Sequence, residues 1–101
     1  MKTVTICGSM RFEKEMQAVA LTLELDHGLN VLQPVYNPTG RTIGELEKTA
    51  LAAAHYHKIE MSDSVYVVDI GGYIGQSVKE EILFAKQKGK EVLYHSAFMA
   101  E

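Results

Sequence analysis

The stretch SVYVVD, residues 64–69, decides the fold class of this chain. Its centre is a near-continuous run of apolar residues, which is typical of a strand that is covered on both faces inside a parallel sheet. Such a strand needs helices on both sides, and helical patterns stand before and after it in the sequence. We therefore predict that residues 64–69 form the central strand of an α/β fold.

Outward from this strand, strand patterns and helix patterns alternate along the chain. Further strands are predicted at residues 2–7, 29–33 and 91–94, and helices are predicted between Ser9 and Gly28, over 43–61 and over 76–88. Residues 34–40 are predicted to form a loop because they contain two prolines and a glycine, and residues 95–101 are expected to be frayed. Right-handed crossovers then predict a flavodoxin-like, doubly wound, three-layer sandwich with four parallel strands in the order 2-1-3-4.

The helix predicted over residues 43–61 has two possible apolar faces. One stripe comprises Leu46, Ala50, Ala53 and His57, and the other comprises Leu51, His55 and Ile59. Both have helical spacing, so the sequence leaves open which of them faces the sheet.

Length, composition and charge limit the class of protein. The 101 residues are expected to form one domain, 1–101, and a content of 47% hydrophobic and 23% charged residues is ordinary for a globular fold. The net charge of −3, without a basic run, argues against binding to duplex nucleic acid and favours a small neutral or weakly anionic ligand. No apolar run is long enough to span a membrane, and the single cysteine, Cys7, cannot form an intrachain disulfide, so we expect a cytoplasmic protein.

The predicted strand order reverses between the first and third strands, where ligands bind in open α/β sheets. Two loops are expected to meet there. Residues 8–11, Gly-Ser-Met-Arg, open a helix N-terminus that suits an anion or a sugar hydroxyl, and residues 69–77 contain three glycines that allow the backbone to approach a ligand. We therefore place the candidate site between these loops.

The helix over residues 76–88 carries two adjacent carboxylates, Glu80 and Glu81. If Val78, Ile82 and Ala85 face the sheet, helical geometry puts Glu81 roughly 65° and Glu80 roughly 165° from the centre of that face. Glu81 should therefore border the core, and Glu80 should lie in solvent. The same angles direct the neighbouring residues 83 and 84, Leu and Phe, away from the sheet, which suggests a dimer contact.

Other chemistries find no matching pattern. The dinucleotide G-x-G-x-x-G motif and the P-loop motif are both missing, and the histidines lack the spacing of a metal site, so no metal or cofactor is expected. Cys7 lies at the end of the first strand, before a helix N-terminus that can activate a thiolate, as in phosphatases and phosphocarriers. Arg11 follows it by only four residues, which is too close for the phosphatase loop, so Cys7 is expected to be a small buried hydrophobic residue.

Three groups of residues resemble one family. These are ICGSMR at 6–11, SDSVYVV at 62–68, and near the end Gly75, Ser77, Glu81, Ala85 and Gly89-Lys90. They are similar to motifs of the nucleoside 2-deoxyribosyltransferase superfamily, which includes the deoxynucleoside monophosphate N-glycosidases. The similarity covers nearly the whole chain and implies a flavodoxin-like fold, homodimers or larger assemblies, and metal-free cleavage of the N-glycosidic bond of a nucleoside or nucleotide.

The same resemblance implies roles for individual residues. Glu81, with Ala85 four residues later, matches the position of the family nucleophile, in agreement with the helical angles. The loop residues would bind the sugar or a 5′-phosphate through amides and hydroxyls, and Arg11 would add charge. The candidate substrate-binding residues are Gly8, Ser9, Met10, Arg11, Asp63, Asp69, Gly75 and Ser77.

At three positions the chain departs from the family. Where active members often carry a tyrosine, an aspartate and, in the transferases, an acid, this sequence has Thr5, His55 and Gly75. His55 is therefore a second catalytic candidate, as an acid or base. Three hypotheses follow: an N-glycoside transferase or hydrolase that uses Glu81, a non-catalytic nucleotide-binding domain of the same fold, and a phosphocarrier that uses Cys7.

Overall fold

The computed structural model describes residues 1–98, and its centre is one sheet of four parallel strands. The strands are β1 (Thr3–Cys7), β2 (Asn30–Leu32), β3 (Ser64–Val67) and β4 (Glu91–Tyr94). They lie in the order β2-β1-β3-β4, and all three neighbouring pairs are parallel. The predicted fold class and strand order are confirmed.

Within residues 1–98, four helices connect or follow the strands. They are α1 (Glu13–His27), α2 (Glu45–Glu60), α3 (Gln76–Gln87) and α4 (His95–Phe98), with short 3₁₀ turns at Met10–Phe12 and Ile70–Gly72. The first helix stops at Gly28, whose φ of 65° is the left-handed conformation that glycine adopts without strain. Within residues 1–98, none of the helices combines the length and hydropathy that a bilayer span requires.

Alternate residues of the two central strands bury opposite faces of the sheet. Val4, Ile6 and Tyr66 contact the apolar side of α1. Val65 and Val67 belong to a second cluster, on the other face, with residues of α2 and α3. The predicted burial of β3 on both faces is thus observed, and three layers result because each face needs its own helical cover.

The apolar face of α2 is the stripe that contains His55 and Ile59. Both side chains are buried, whereas Leu46, from the competing stripe, is 88% exposed. The two stripes have similar apolar content, so contact with the sheet selects between them. The selected face brings His55 beneath the end of β1.

Residues 95–98 are ordered against the sheet, and the expectation of a frayed segment is wrong for them. The carboxylate of Asp69 accepts hydrogen bonds from the backbone N–H and the hydroxyl of Ser96, at 2.8 and 2.7 Å. The Tyr66 hydroxyl lies 2.8 Å from Nδ1 of His95. These contacts join residues far apart in sequence, so local patterns did not predict them; residues 99–101 lie outside the described residues.

The outward surface of α3 is less apolar than predicted. Leu83 is 58% exposed, as expected. Phe84, however, packs edge-to-face on Tyr56 of α2, with ring centroids 4.8 Å apart. The expected pair of exposed apolar residues is therefore reduced to Leu83, because α2 covers its neighbour.

Leu23 tests the packing of α1 against the sheet. Its side chain is fully buried, so Leu23→Ala should lower the free energy of unfolding by about 2–5 kcal/mol through lost burial and the cavity left behind. Leu21 on the same helix is 62% exposed, and Leu21→Ala should change this free energy by less than about 0.5 kcal/mol. Urea unfolding followed by circular dichroism measures both, and equal effects would contradict the assigned face of α1.

Candidate active site

A cavity of about 460 Å³ opens at the carboxyl ends of β1 and β3, where the strand order reverses. We call it the crevice. Three of its walls are the loop after β1, the α2 helix, and the loop that leads into α3. The lining residues are Gly8, Ser9, Met10, Pro34, Val35, Leu51, Ala52, Ala54, His55, Lys58, Tyr73, Gly75, Gln76, Ser77, Val78 and Glu81. This volume lies in the range that accommodates a small organic ligand.

Gly8 lets the chain turn tightly out of β1 into the crevice wall. A Cβ atom at this position would lie 2.8 Å from Sδ of Met16 and 3.4 Å from Cβ of Val68. Ser9 follows, and its hydroxyl accepts a hydrogen bond of 3.3 Å from the backbone N–H of Arg11. The loop is therefore held close to the sheet, with Ser9 and Met10 on the side of the crevice.

The opposite wall is the loop after β3 and the start of α3. Gly71 and Gly72 have φ values of 63° and 79°, so this turn requires glycine-like backbone freedom. Gly75 is the residue before α3, and the first intrahelical bond runs from the N–H of Lys79 to its carbonyl. The amides of residues 76–78 consequently have no acceptor inside the helix and lie at the edge of the crevice. They form an electropositive rim suited to an anion or a sugar oxygen.

Three side chains from three different elements meet at the base of the crevice. Nε2 of His55 lies 3.4 Å from Oε1 of Glu81 and 3.6 Å from Sγ of Cys7. The His55 and Glu81 side chains are 10% and 17% exposed, and Cys7 is fully buried. Glu80 is exposed, so the helical angles assigned the two carboxylates to the correct sides. We call Cys7, His55 and Glu81 the basal cluster.

The surroundings of His55 indicate which of its nitrogens carries the proton. Nδ1 is buried and has no hydrogen-bond partner within residues 1–98, whereas Nε2 faces the Glu81 carboxylate. A proton on Nδ1 would be an unsatisfied buried donor, which costs about 1–3 kcal/mol. Hydrogen bonding therefore favours the tautomer with the proton on Nε2, the nitrogen that lies near Cys7 Sγ and the Glu81 carboxylate.

Cys7 is unsuited to nucleophilic chemistry. Burial raises the pKa of its thiol well above the usual value, and the negative charge of Glu81 raises it further. A phosphocarrier needs the thiolate, which is the nucleophilic form. The cation nearest in sequence after Cys7, Arg11, is engaged elsewhere: its guanidinium stacks on the Tyr73 ring, 3.8 Å from the ring centre. The expectation that Cys7 is a small buried residue agrees with this environment.

Several sequence-predicted residues do not line the crevice. Asp63 lies at the amino end of β3, where its carboxylate accepts a hydrogen bond from the N–H of Thr3. The Asp69 carboxylate is occupied by Ser96, and Arg11 stacks on the outer side chain of Tyr73. Asp63 is thus placed at the amino end of the sheet, opposite the crevice, and not among the residues that line it. Asp69 and Arg11 are likewise outside the lining set, although Tyr73, on which Arg11 stacks, does line the crevice.

Sequence reasoning missed Lys58 and Tyr73, which both line the crevice. Nζ of Lys58 donates a hydrogen bond of 2.7 Å to the carbonyl of Gln33, which holds this cation at the wall. Lys58 stands one helical turn after His55, so choosing the correct stripe of α2 would have revealed it. Thr5 stands where active members of the family often carry a tyrosine. Its side chain does not line the crevice, and its hydroxyl contacts that of Ser62.

Chemical modification tests the environment of Cys7. Because its thiol is buried and its pKa is raised, the native protein should react with iodoacetamide at about pH 8 more than about tenfold slower than the urea-unfolded protein. The chain has one cysteine, so mass spectrometry reports this site alone. Rapid alkylation of the folded protein would contradict the buried, protonated thiol and would restore the phosphocarrier hypothesis.

Comparisons with known proteins support the fold. No protein-family model matches the chain, and no curated protein matches it. The solved structure of Clostridium botulinum CMP N-glycosidase, BcmB, is similar at 22% identity with a TM-score of 0.59, over 92% of this chain and 70% of that one. A conserved protein from Enterococcus faecalis V583 is similar at 20% identity with a TM-score of 0.65, and 93% of this chain spans 62% of its length. These likenesses show a shared α/β fold.

Proposed function

We propose that this protein cleaves the N-glycosidic bond of a nucleoside or nucleoside monophosphate, with Glu81 as the nucleophile. The observation that carries the proposal is a single, largely buried carboxylate that lines a ligand-sized crevice, with Nε2 of His55 3.4 Å from one of its oxygens. The fold shared with a CMP N-glycosidase supports the same class of reaction. The geometry of Glu81 and the crevice is independent of that likeness.

A carboxylate in this position suits displacement at the anomeric carbon of the sugar. Glu81 Oε attacks that carbon while the bond to the base nitrogen breaks, and the electron pair leaves with the base, which takes a proton from water. A water molecule then attacks the same carbon, supplies the hydroxyl to the sugar, gives its other proton to the hydroxide left by the first step, and releases the carboxylate. Both steps pass through an oxocarbenium-like transition state that a nearby anion stabilises.

His55 acts in this proposal as a positioning residue. Its Nε2–H faces Glu81 Oε1 at 3.4 Å, which directs one carboxylate oxygen toward the imidazole and leaves the other for the crevice. Packing fixes the ring, since only 8% of His55 is exposed. A carboxylate that is already oriented loses less entropy on reaching the attacking geometry.

The rest of the crevice offers matching contacts for a nucleotide. The free amides of residues 76–78, the Ser77 side chain and Lys58 are polar groups for sugar or phosphate oxygens. Val35, Leu51 and Tyr73 provide apolar surface against which a flat base can stack. Phosphate recognition by Lys58 would explain why a cation is held at this wall.

The variant Glu81→Gln tests the nucleophile. It keeps the shape of the side chain but removes the charge, so release of base from a panel of nucleosides and nucleoside monophosphates should fall at least about a thousandfold. Glu80→Gln, next to it on the exposed face, should behave as the unchanged protein does. Chromatography of the released base measures both.

A trapped intermediate provides an independent readout. In a 2-deoxy-2-fluoro substrate analogue the fluorine slows both steps, and a good leaving group restores the rate of the first step only, so a glycosyl ester should accumulate on Glu81 and appear in peptide mass spectra. Base release that persists in Glu81→Gln, or an ester on another residue, would contradict the assignment.

Lys58→Gln tests phosphate recognition. Loss of one charge-assisted hydrogen bond should raise the KM for a nucleoside monophosphate about tenfold to a hundredfold and leave the KM for the matching nucleoside nearly constant. Lys79→Gln, at an exposed lysine of α3, is the matched control. An equal loss for both substrates would mean that Lys58 supports the wall through Gln33 and does not bind phosphate.

A second candidate function is nucleotide binding without turnover. Among the described residues that line the crevice, Glu81 is the only carboxylate, so a second acid to protonate the leaving base is missing from the lining set. This observation favours a binding domain. Calorimetry that detects nucleotide binding, together with no base release from any substrate tested, would favour it over catalysis.

A further inference from the structure

The geometry points to a second use of the basal cluster, and we propose that Cys7, His55 and Glu81 form a three-ligand site for a zinc-class divalent cation. Their donor atoms, one sulfur, one nitrogen and one carboxylate oxygen, all lie within 4.8 Å of one another. The proposal goes beyond glycosidic cleavage, since it concerns binding of a cation and depends only on these three side chains.

Two of the three donor separations in the cluster match tetrahedral zinc. Zinc binds sulfur at about 2.3 Å and nitrogen or oxygen at about 2.0–2.2 Å, so tetrahedral angles separate sulfur from nitrogen by about 3.6 Å and nitrogen from oxygen by about 3.4 Å. The separations are 3.6 Å between Cys7 Sγ and His55 Nε2, and 3.4 Å between His55 Nε2 and Glu81 Oε1. The third pair, Cys7 Sγ and a Glu81 oxygen, lies within 4.8 Å, and a bound cation would hold it at about 3.6 Å.

The types of donor select the class of cation. Thiolate and imidazole favour zinc and its transition-metal neighbours over magnesium or calcium, which prefer sets composed of oxygen. With Cys7 as thiolate and Glu81 as carboxylate, two negative charges balance a divalent cation in a buried place. Binding replaces the proton of the thiol, which leaves to solvent, and the imidazole proton is carried on Nδ1 so that Nε2 is free to coordinate the cation.

The site has an open side. His55 and Glu81 line the crevice, whereas Cys7 lies beneath them, so the fourth coordination position faces the crevice. Three protein ligands and one open position are the pattern of exchangeable zinc sites. The ligands come from β1, α2 and α3, which is why sequence spacing gave no indication of a metal site.

One feature of His55 limits the affinity. A histidine that binds metal through Nε2 normally donates its Nδ1–H to an acceptor, and loss of that outer hydrogen bond costs about tenfold to a hundredfold in affinity. Nδ1 of His55 has no such acceptor within the described residues. We therefore expect a reversible site that chelators empty without unfolding the protein.

Cobalt(II) binding tests the proposal, with spectroscopy as the readout. Chelator-treated protein titrated with cobalt should develop a near-ultraviolet thiolate-to-cobalt band and the intense visible bands of four-coordination, saturating at one equivalent, and zinc should remove them. Cys7→Ser should abolish the charge-transfer band. His55→Gln and Glu81→Gln should each weaken cobalt binding at least about tenfold.

Matched controls separate the site from adventitious binding. His57→Gln and Glu80→Gln change exposed neighbours on the same two helices and should leave the cobalt spectrum unchanged. Circular dichroism confirms that each variant is folded, and Cys7→Ala serves in place of Cys7→Ser if the buried hydroxyl prevents folding. No thiolate band in the unchanged protein, or full affinity in either His55→Gln or Glu81→Gln, would overturn the three-ligand site.

The effect of a bound cation on base release rests on the proposed function. A cation on Glu81 withdraws the electron pair that would attack the sugar, so zinc should inhibit base release with an inhibition constant equal to the zinc Kd that the cobalt competition yields. Binding without inhibition would keep the metal site and remove Glu81 from the glycosidic mechanism, so the two proposals fail separately.

Discussion

Burial of β3 on both faces is the constraint on which the rest of the structure depends. Val65 and Val67 need cover from α2 and α3, and Tyr66 needs cover from α1 on the other face. Helices on both sides require crossover connections. The crossovers from β1 and β3 run in opposite directions, so the loops that leave the carboxyl ends of these two strands diverge. The crevice is the space left by that separation, so the site follows from the way in which one apolar strand is buried.

The chemistry of the crevice depends on what surrounds one carboxylate. Glu81 is mostly removed from water and lies beside an imidazole and a thiol, and burial together with this carboxylate raises the pKa of the thiol. A buried anion beside proton-bearing partners is suited to attack on a carbon that develops positive charge. The same anion suits a cation once the thiol proton has left, so the two proposals make competing use of one cluster.

Part of this site follows from local pattern and part does not. The glycine after β1 and the position of Glu81 on α3 were predictable, because strand ends and helical angles are set by near neighbours in the sequence. The partnership of His55 with Glu81 was not, because α2 carries two stripes of similar apolar content. Asp63 had a polar side chain at the border of a buried strand, but at the amino end, where it binds the backbone of Thr3. Chemical type alone does not distinguish the two ends of a strand.

By itself, the sequence determined the alternation of strands and helices, the parallel sheet and its order, since periodicity and right-handed crossovers depend on short segments of chain. Only the tertiary structure decided which face of α2 meets the sheet, that residues 95–98 pack on β3, and that donors from β1, α2 and α3 converge. These outcomes arise from contacts between residues far apart in the chain. Their energies depend on complementary shape and hydrogen bonding, which no local pattern encodes.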